Sequence, residues 1–408
     1  MKNPNTRSGR ITFAAPSHGA AAALNPATRS TILLAALLLG GCAINPPPRS
    51  VSAEAAPQWN APVPASVAAT APTPAALPHQ GRVAALTDWW AQQNDALLVE
   101  LIAAGQAASP NISAARSGIE QARAARVQAG AALLPSLDGT ASASRSRSAP
   151  FAGLSSPPTN TVQLGLQTNW EIDVFGGGRA ARNANEERLR GAEAQWHDAR
   201  VSVAAEVASQ YYALRACAGL LEVSRADALS RSETARLSEL SMKAGFEAPA
   251  TAALARASAA ESRNHTTQQA AQCELDTKAL VALTALPEPV LRERLALSPV
   301  GPQPLAMPAV PAVPAAVLAQ RPDVYNAERE VAAASAEVGS AQADRYPRLA
   351  LTGNITGGRS RAAGASESFD TWSIGPLQLT LPIFDGGVRA ANVVAAQARY
   401  DNAAAQYR

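Results

Sequence analysis

Aromatic residues are scarce in this 408-residue chain, at 4%, while apolar residues reach 47%, much of that alanine. This balance suits long helices packed at close distance, because alanine has the highest helix propensity. Basic residues form no run; the net charge is +3 and the lysines and arginines are scattered. A nucleic-acid binder concentrates them on one face or in one stretch, so that class is set aside. Histidine is limited to His18, His79, His197 and His265, far apart in sequence and in no metal-ligand spacing. Gly176-Gly177-Gly178 precedes a helical stretch but lacks the rest of a P-loop or dinucleotide fingerprint. It reads as a strand-to-helix turn. No metal, cofactor or catalytic constellation is expected, and the chain is not read as an enzyme.

Cysteine is also scarce, with three in all, and the position of the first is informative. Lys2, Arg7, Arg10 and Arg29 precede the apolar run Thr31 to Leu39, which leads into Gly40-Gly41-Cys42. A positive region, a short apolar region and small residues form a secretory signal. The run is too short to span a bilayer, which needs ~20 apolar residues. Leu39-Gly40-Gly41-Cys42 resembles a bacterial lipobox, which implies a signal over 1–41 and lipidation of Cys42. The other reading is an ordinary signal with an incidental cysteine. Ala43 after the cysteine implies, by the same resemblance, sorting to the outer membrane. Residues 42–84, with Asn45-Pro46-Pro47-Pro48 and Pro72-Thr73-Pro74, read as an extended tether.

The body is duplicated. A shift of 212 residues lays Pro110-Asn111-Ile112 on Pro322-Asp323-Val324, and Leu134-Pro135-Ser136-Leu137 on Tyr346-Pro347-Arg348-Leu349. A shift of 209 lays Phe175 on Phe384, each followed by glycines. The first repeat is expected over 85–285 and the second over 321–408, with a connection at 286–320. Within each, the order is helix, strand, strand, helix. Pro135 and Pro347 end the first helices, since proline lacks the donor that would continue them. The period then becomes two. Val162, Leu164, Leu166, Trp170, Ile172 and Val174 share one face; Gln163, Gln167, Asn169, Glu171 and Asp173 share the other. Strands are expected at about 136–147, 161–174, 348–357 and 371–384, with a bulge in the last at Gly375-Pro376.

From Arg179 the helical period returns. Val207, Tyr211, Leu214, Ala218 and Leu221 form a heptad seam. A helix from Arg179 to Lys243 would be roughly 100 Å long and must project. Lys243-Ala244-Gly245-Phe246-Glu247-Ala248-Pro249 is the turn, with glycine at one helix end and proline opening the next. The return helix reaches about 284. Cys217 and Cys273 each lie 28 residues from Gly245 and so at one height in an antiparallel hairpin. A disulfide is compatible with a secretory compartment; two unrelated buried thiols is the other reading.

Four amphipathic strands of this length match transmembrane β-strands, yet four cannot close a barrel. Three chains give twelve strands and a barrel wide enough for a lumen. Trp170 and Trp372 are then expected near the membrane–water boundary, with a plain core role as the alternative. Several landmarks carry a resemblance to a known family over about 85–408. They are Trp89-Trp90, Leu134-Pro135-Ser136-Leu137, Trp170-Glu171-Ile172-Asp173-Val174-Phe175-Gly176, Arg321-Pro322-Asp323-Val324 with Ala327-Glu328, Ala341 to Pro347, and Leu381-Pro382-Ile383-Phe384-Asp385-Gly386-Gly387. In their order and spacing the chain resembles the outer-membrane efflux protein family, the TolC-like channels, in its lipoprotein branch.

The resemblance implies a fold that is mainly α with membrane β. A homotrimer would hold a 12-stranded barrel in the outer-membrane lipid and a long coiled-coil tunnel in the periplasm. It also implies a periplasmic adaptor and an inner-membrane efflux pump as partners, with passive export of drugs or small molecules. Lys243, Gly245, Phe246 and Glu247 would form the tip that meets the adaptor, against the reading of a solvated turn. Gln163, Gln167, Asn169, Glu171 and Asp173 would face the lumen, or would be polar residues with no selectivity role. The second hairpin is expected to be truncated: the helix from Val388 reaches Arg408 after about 20 residues, against some 65 in its counterpart. The alternatives are a type I secretion exit duct, a non-pore structural lipoprotein and an inactive truncated channel.

Overall fold

The structure, a computed structural model, describes residues 44–52, 90–91, 95–147, 157–297 and 321–408. Cys42, the expected signal and Trp89 lie outside the described residues, as do most of the tether and the latter part of the expected connection. The order is α1 (Ala96–Ala108), α2 (Pro110–Ala131), β1 (Ser136–Ser146), β2 (Thr159–Ile172), α3 (Gly177–Lys243), α4 (Pro249–Thr284), α5 (Glu288–Leu297), α6 (Pro322–Ala343), β3 (Arg348–Ala362), β4 (Ala365–Thr380) and α7 (Val388–Tyr407). No helix among the described residues is long and apolar enough to cross a membrane.

The duplication is visible in the elements. α2 and α6 are both 22 residues long and both start on a proline, which costs nothing where the first helical N–H has no partner. Each is followed by two antiparallel strands. The four strands form one sheet in the order β1-β2-β3-β4. The helices next in sequence to the strands, α2, α3, α6 and α7, adjoin it at one end; the paired ends Ser146–Thr159 and Ala362–Ala365 lie at the other.

α3 runs for 67 residues, roughly 100 Å. Beside the sheet it packs on α2 and α6, where Arg126 pairs with Glu186, Arg188 with Glu337 (2.7 Å) and Arg329 with Glu187 (3.1 Å). Farther from the sheet α1, α4 and α5 join it around Leu98, Leu101, Val207, Tyr211, Leu214, Leu280 and Leu291. Val207, Tyr211 and Leu214 of the heptad seam are buried, and Ala218 and Leu221 are half-buried. Tyr211 is fully buried, and its hydroxyl donates to Asp95 Oδ2 at 2.7 Å. The other Asp95 oxygen caps α1 at the amide of Leu98. Burial, reinforced by the bond to Asp95, pushes the Tyr211 hydroxyl well above its ordinary range.

Past Cys217 the hairpin of α3 and α4 has a thin core, with Ala235, Ala252, Ala259 and Ser262 as its buried residues short of Cys273. Alanines let the helix backbones approach closely but bury little area each. Polar links span the gap: Ser262 donates to Asp227 (2.7 Å), and Arg231 binds both Asp227 and Ser258. Cys217 and Cys273 are disulfide-bonded in the structure, with Cα atoms 5.6 Å apart.

The second-repeat helices carry a separate core. Val331, Ala334 and Val338 of α6 meet Ala396, Tyr400 and Ala403 of α7. A short N-terminal strap lies on this pair. Asn45 donates its amide N–H to Gln342 Oε1 (2.8 Å), and its carbonyl accepts from Gln342 Nε2 (3.1 Å). Ser335 donates to the Pro47 carbonyl, and Val51 packs against the α6–α7 core.

Several boundaries differ from the sequence expectation. β2 ends at Ile172, not 174. β3 continues to Ala362, and β4 starts at Ala365 and ends at Thr380, in place of 371–384. The far halves of β3 and β4 are built of glycine, serine and charged residues that show no apolar alternation, so their pairing is invisible to a period-two reading. The longer β4 also relocates Trp372: it stands opposite Ile355 in mid-sheet, not at a boundary. Gly375 and Pro376 do form a bulge. Both lie opposite Thr352, with a cis peptide between them and Gly375 at φ 105.

Candidate functional site

The register defines two faces, because directly opposed residues of an antiparallel pair point the same way. Leu166 is paired with Gly139 on β1 and Ile355 on β3, and Ile355 with Trp372 on β4. Below this row, toward the helices, lie Trp170 opposite Leu351 and Ile172 opposite Leu349, followed across to Leu377 and Leu379. Above it lie Leu164 and Val162. This face is apolar across all four strands, and it is bare. Val162, Leu164, Ile355, Trp372, Ile374 and Leu379 are each more than half exposed. A bare apolar face this large marks a surface meant for an apolar medium or a partner. From Ile172 to Val162 it runs ~33 Å along the strand. With the usual tilt that is about 25 Å of height, the apolar band of an outer-membrane barrel.

The opposite face is polar. Gln163 is paired with Ser142 and Gly358, Gln167 with Asp138 and Asn354, Asn169 with Ser136 and Thr352, and Glu171 with Ala350. These four residues stand together on one face. Asp173 does not join them. It lies beyond the strand, and its carboxylate accepts from the amides of Gly178 (3.2 Å) and Arg179 (2.9 Å) at the start of α3. The sequence expectation of a lumen role for Asp173 is therefore corrected: the orphan amides of a helix N-terminus claim the side chain.

Asp385 repeats the device at α7, accepting from the amides of Gly387 and Arg389 and from the Arg389 guanidinium. The backbone bonds from Arg389 and Gly387 hold its carboxyl below the usual carboxylate range. The caps were missed in the sequence, although an aspartate closely followed by glycines before a helical period was their signal. Also missed was Phe369. A Cβ on Gly358 would come within 2.7 Å of its ring, so the aromatic covers the glycine on the polar face beside Gln163.

The far end of the hairpin is the second feature. Gly245 adopts φ +82 and ends α3. Its amide bonds the Met242 carbonyl, and the Phe246 amide bonds the Ser241 carbonyl, the double bond of a Schellman end. That turn leaves Phe246 86% exposed at the extremity. Lys243 pairs with Glu239 at 3.2 Å, and Glu247 accepts from Ser238 at 3.3 Å. Lys243, Gly245, Phe246 and Glu247 thus share one rigid turn.

An amphipathic sheet of membrane height on a projecting helical hairpin defines the class of outer-membrane channels. The comparisons agree. Residues 101–286 and 313–408 match the outer membrane efflux protein family, and the chain belongs to that family. It is 29% identical over 394 residues to the solvent efflux pump outer membrane protein SrpC of Pseudomonas putida, covering 93% of this chain and 79% of that one. Among solved structures it is similar to the outer-membrane channel OprN, with a TM-score of 0.70 at 27% identity over 78% of this chain and 72% of that one. It is likewise similar to VceC of Vibrio cholerae, with a TM-score of 0.66 at 26% identity over 79% and 77%. The chain is an outer-membrane channel protein of the efflux class.

Proposed function

We propose that the chain works as a homotrimer, the outer-membrane exit duct of a tripartite efflux system for small apolar compounds or drugs. The observation that carries this is the open sheet. β1 and β4 each have an unpaired edge, and open edges are not tolerated in lipid. Three copies, joined β4 to β1, would close twelve strands with the apolar faces outward and Gln163, Gln167, Asn169 and Glu171 lining the lumen. The internal repeat supports that junction. Phe175 stacks on Tyr346, ring centroids 5.0 Å apart, where β2 meets β3. Its counterpart Phe384 is 92% exposed, and Leu134, the counterpart of Tyr346, is 66% exposed. In a closed ring Phe384 of one copy would cover Leu134 of the next.

Transport needs no chemistry from this chain. Gradient and energy would come from an inner-membrane pump, reached through a periplasmic adaptor at the Lys243–Glu247 tip. Cys42 would carry the lipid. The lipobox resemblance of Leu39-Gly40-Gly41-Cys42 is what supports this anchor. The small-molecule cargo rests on the efflux relatives.

Reconstitution in planar bilayers tests the reading. Discrete conductance steps without nucleotide are expected; protein that inserts yet never conducts would overturn it. Phe246→Asp is expected to leave conductance and melting unchanged, because the side chain is exposed, and to weaken capture of the cognate adaptor at least tenfold, about 1.4 kcal/mol. Unchanged capture would remove the tip from the interface.

A further inference from the structure

Three arginines at the helical end of the sheet hold a carboxylate: Arg348 of β3 pairs with Asp344 (2.7 Å), and Arg179 and Arg389, in the first turns of α3 and α7, pair with Asp173 (3.2 Å) and Asp385 (3.0 Å). At the far end Arg145, Arg359 and Arg361 are exposed and make no ion pair or side-chain hydrogen bond with another described residue. The register sets all three on the apolar, outward face. Arg145 and Arg361 are both paired with Asn160, and Arg359 is paired with Val162, the last apolar residue of β2. Neighbouring strands lie ~4.8 Å apart and alternate residues ~7 Å apart. The backbones of the three arginines therefore fall within about 12 Å of one another. The acidic residues nearby do not neutralise them. Asp370 shares the face, opposite Gly357, but bonds none of the three, and Glu367 is on the other face opposite Ser360.

We propose that Arg145, Arg359 and Arg361 form a binding site for the phosphates of an anionic glycolipid of the outer leaflet, whose acyl chains lie on the adjoining apolar band. This rests on the outer-membrane orientation above, with the helices periplasmic and the strand turns outside. Three features argue for lipid as the occupant. The cluster follows directly on the apolar band, at the height where headgroups begin. It faces away from the lumen. Guanidinium forks suit phosphate oxygens bidentately, and basic clusters beside a membrane surface attract anionic headgroups.

The test uses the full chain in non-ionic detergent, with diphosphorylated lipid A and its dephosphorylated form as probes. Wild type is expected to prefer the phosphorylated lipid by about tenfold or more. The triple variant R145Q/R359Q/R361Q should lose that preference. The triple lysine variant should keep part of it, since charge remains while the fork is lost. Equal affinity for the two lipids in wild type, or an unchanged preference in the glutamine variant, would overturn the site. Displacement by millimolar inorganic phosphate would overturn it as a lipid site and make it a site for free anions.

Membrane fractionation of the same variants separates this from the parent reading. Protein that assembles in the outer membrane but ignores lipid phosphate sinks the lipid site alone. Protein absent from that membrane sinks the channel reading, and the site with it.

Discussion

Leu166→Arg is expected to abolish barrel assembly, while Gln167→Arg, the next residue, is tolerated. Leu166 stands midway along the apolar face, between Gly139 and Ile355. An arginine at a bilayer midplane on the lipid face of a barrel costs ~2–4 kcal/mol. In a trimer it occurs three times, so the total is roughly 6–12 kcal/mol, comparable with the whole stability of a typical domain. Gln167 lies on the opposite face between Asp138 and Asn354, where an arginine finds a carboxylate and water. The readout is the amount of SDS-resistant oligomer in the outer-membrane fraction. Because strand side chains alternate strictly, a one-residue slip would exchange the two results. A tolerated Leu166→Arg with a damaging Gln167→Arg would reverse the assignment of faces.

Replacing both Cys217 and Cys273 by serine is expected to lower stability by about 4 kcal/mol, the chain-entropy value for a loop of this size; the two lie 56 residues apart. The effect should be fully felt, because the hairpin beyond them buries little besides alanines. For a body of this size that corresponds to a fall in Tm of roughly 6 °C. Thermal melts in the presence and absence of reductant check it, together with non-reducing peptide mapping. Two free thiols in the purified protein, or a melt insensitive to reductant, would show that the hairpin is not stapled. The exposed Phe246 turn should remain ordered in either case, since its bonds are local backbone bonds.

Much of this architecture is legible in the residues. The alternation from Val162 to Ile172 fixes a two-faced strand, and the register places its polar members together. Pro110 and Pro322 mark equal helices, and Gly245 marks the hairpin end. What could not be read has physical reasons. Asp173 continues the alternation of β2 by type, but unpaired amides at the start of α3 compete for it, and local hydrogen bonding wins over strand parity. The outer halves of β3 and β4 rise past the apolar band, so residues such as Arg359, Ser360 and Glu367 carry no buried-versus-exposed pattern. Trp372 was misplaced for the same reason. The clasp of Asn45 by Gln342 joins residues 297 apart, a pairing with no local signature. The thin alanine core of the hairpin was foreshadowed by composition, whereas the polar links at Asp227 and Ser262 were not.

The central claim is that the open sheet of one chain is one third of a closed barrel. The measurement that tests it most directly is the native mass of the protein extracted in detergent from the outer-membrane fraction. Three copies per particle are predicted. A single copy per particle, with the sheet intact by circular dichroism, would contradict the account.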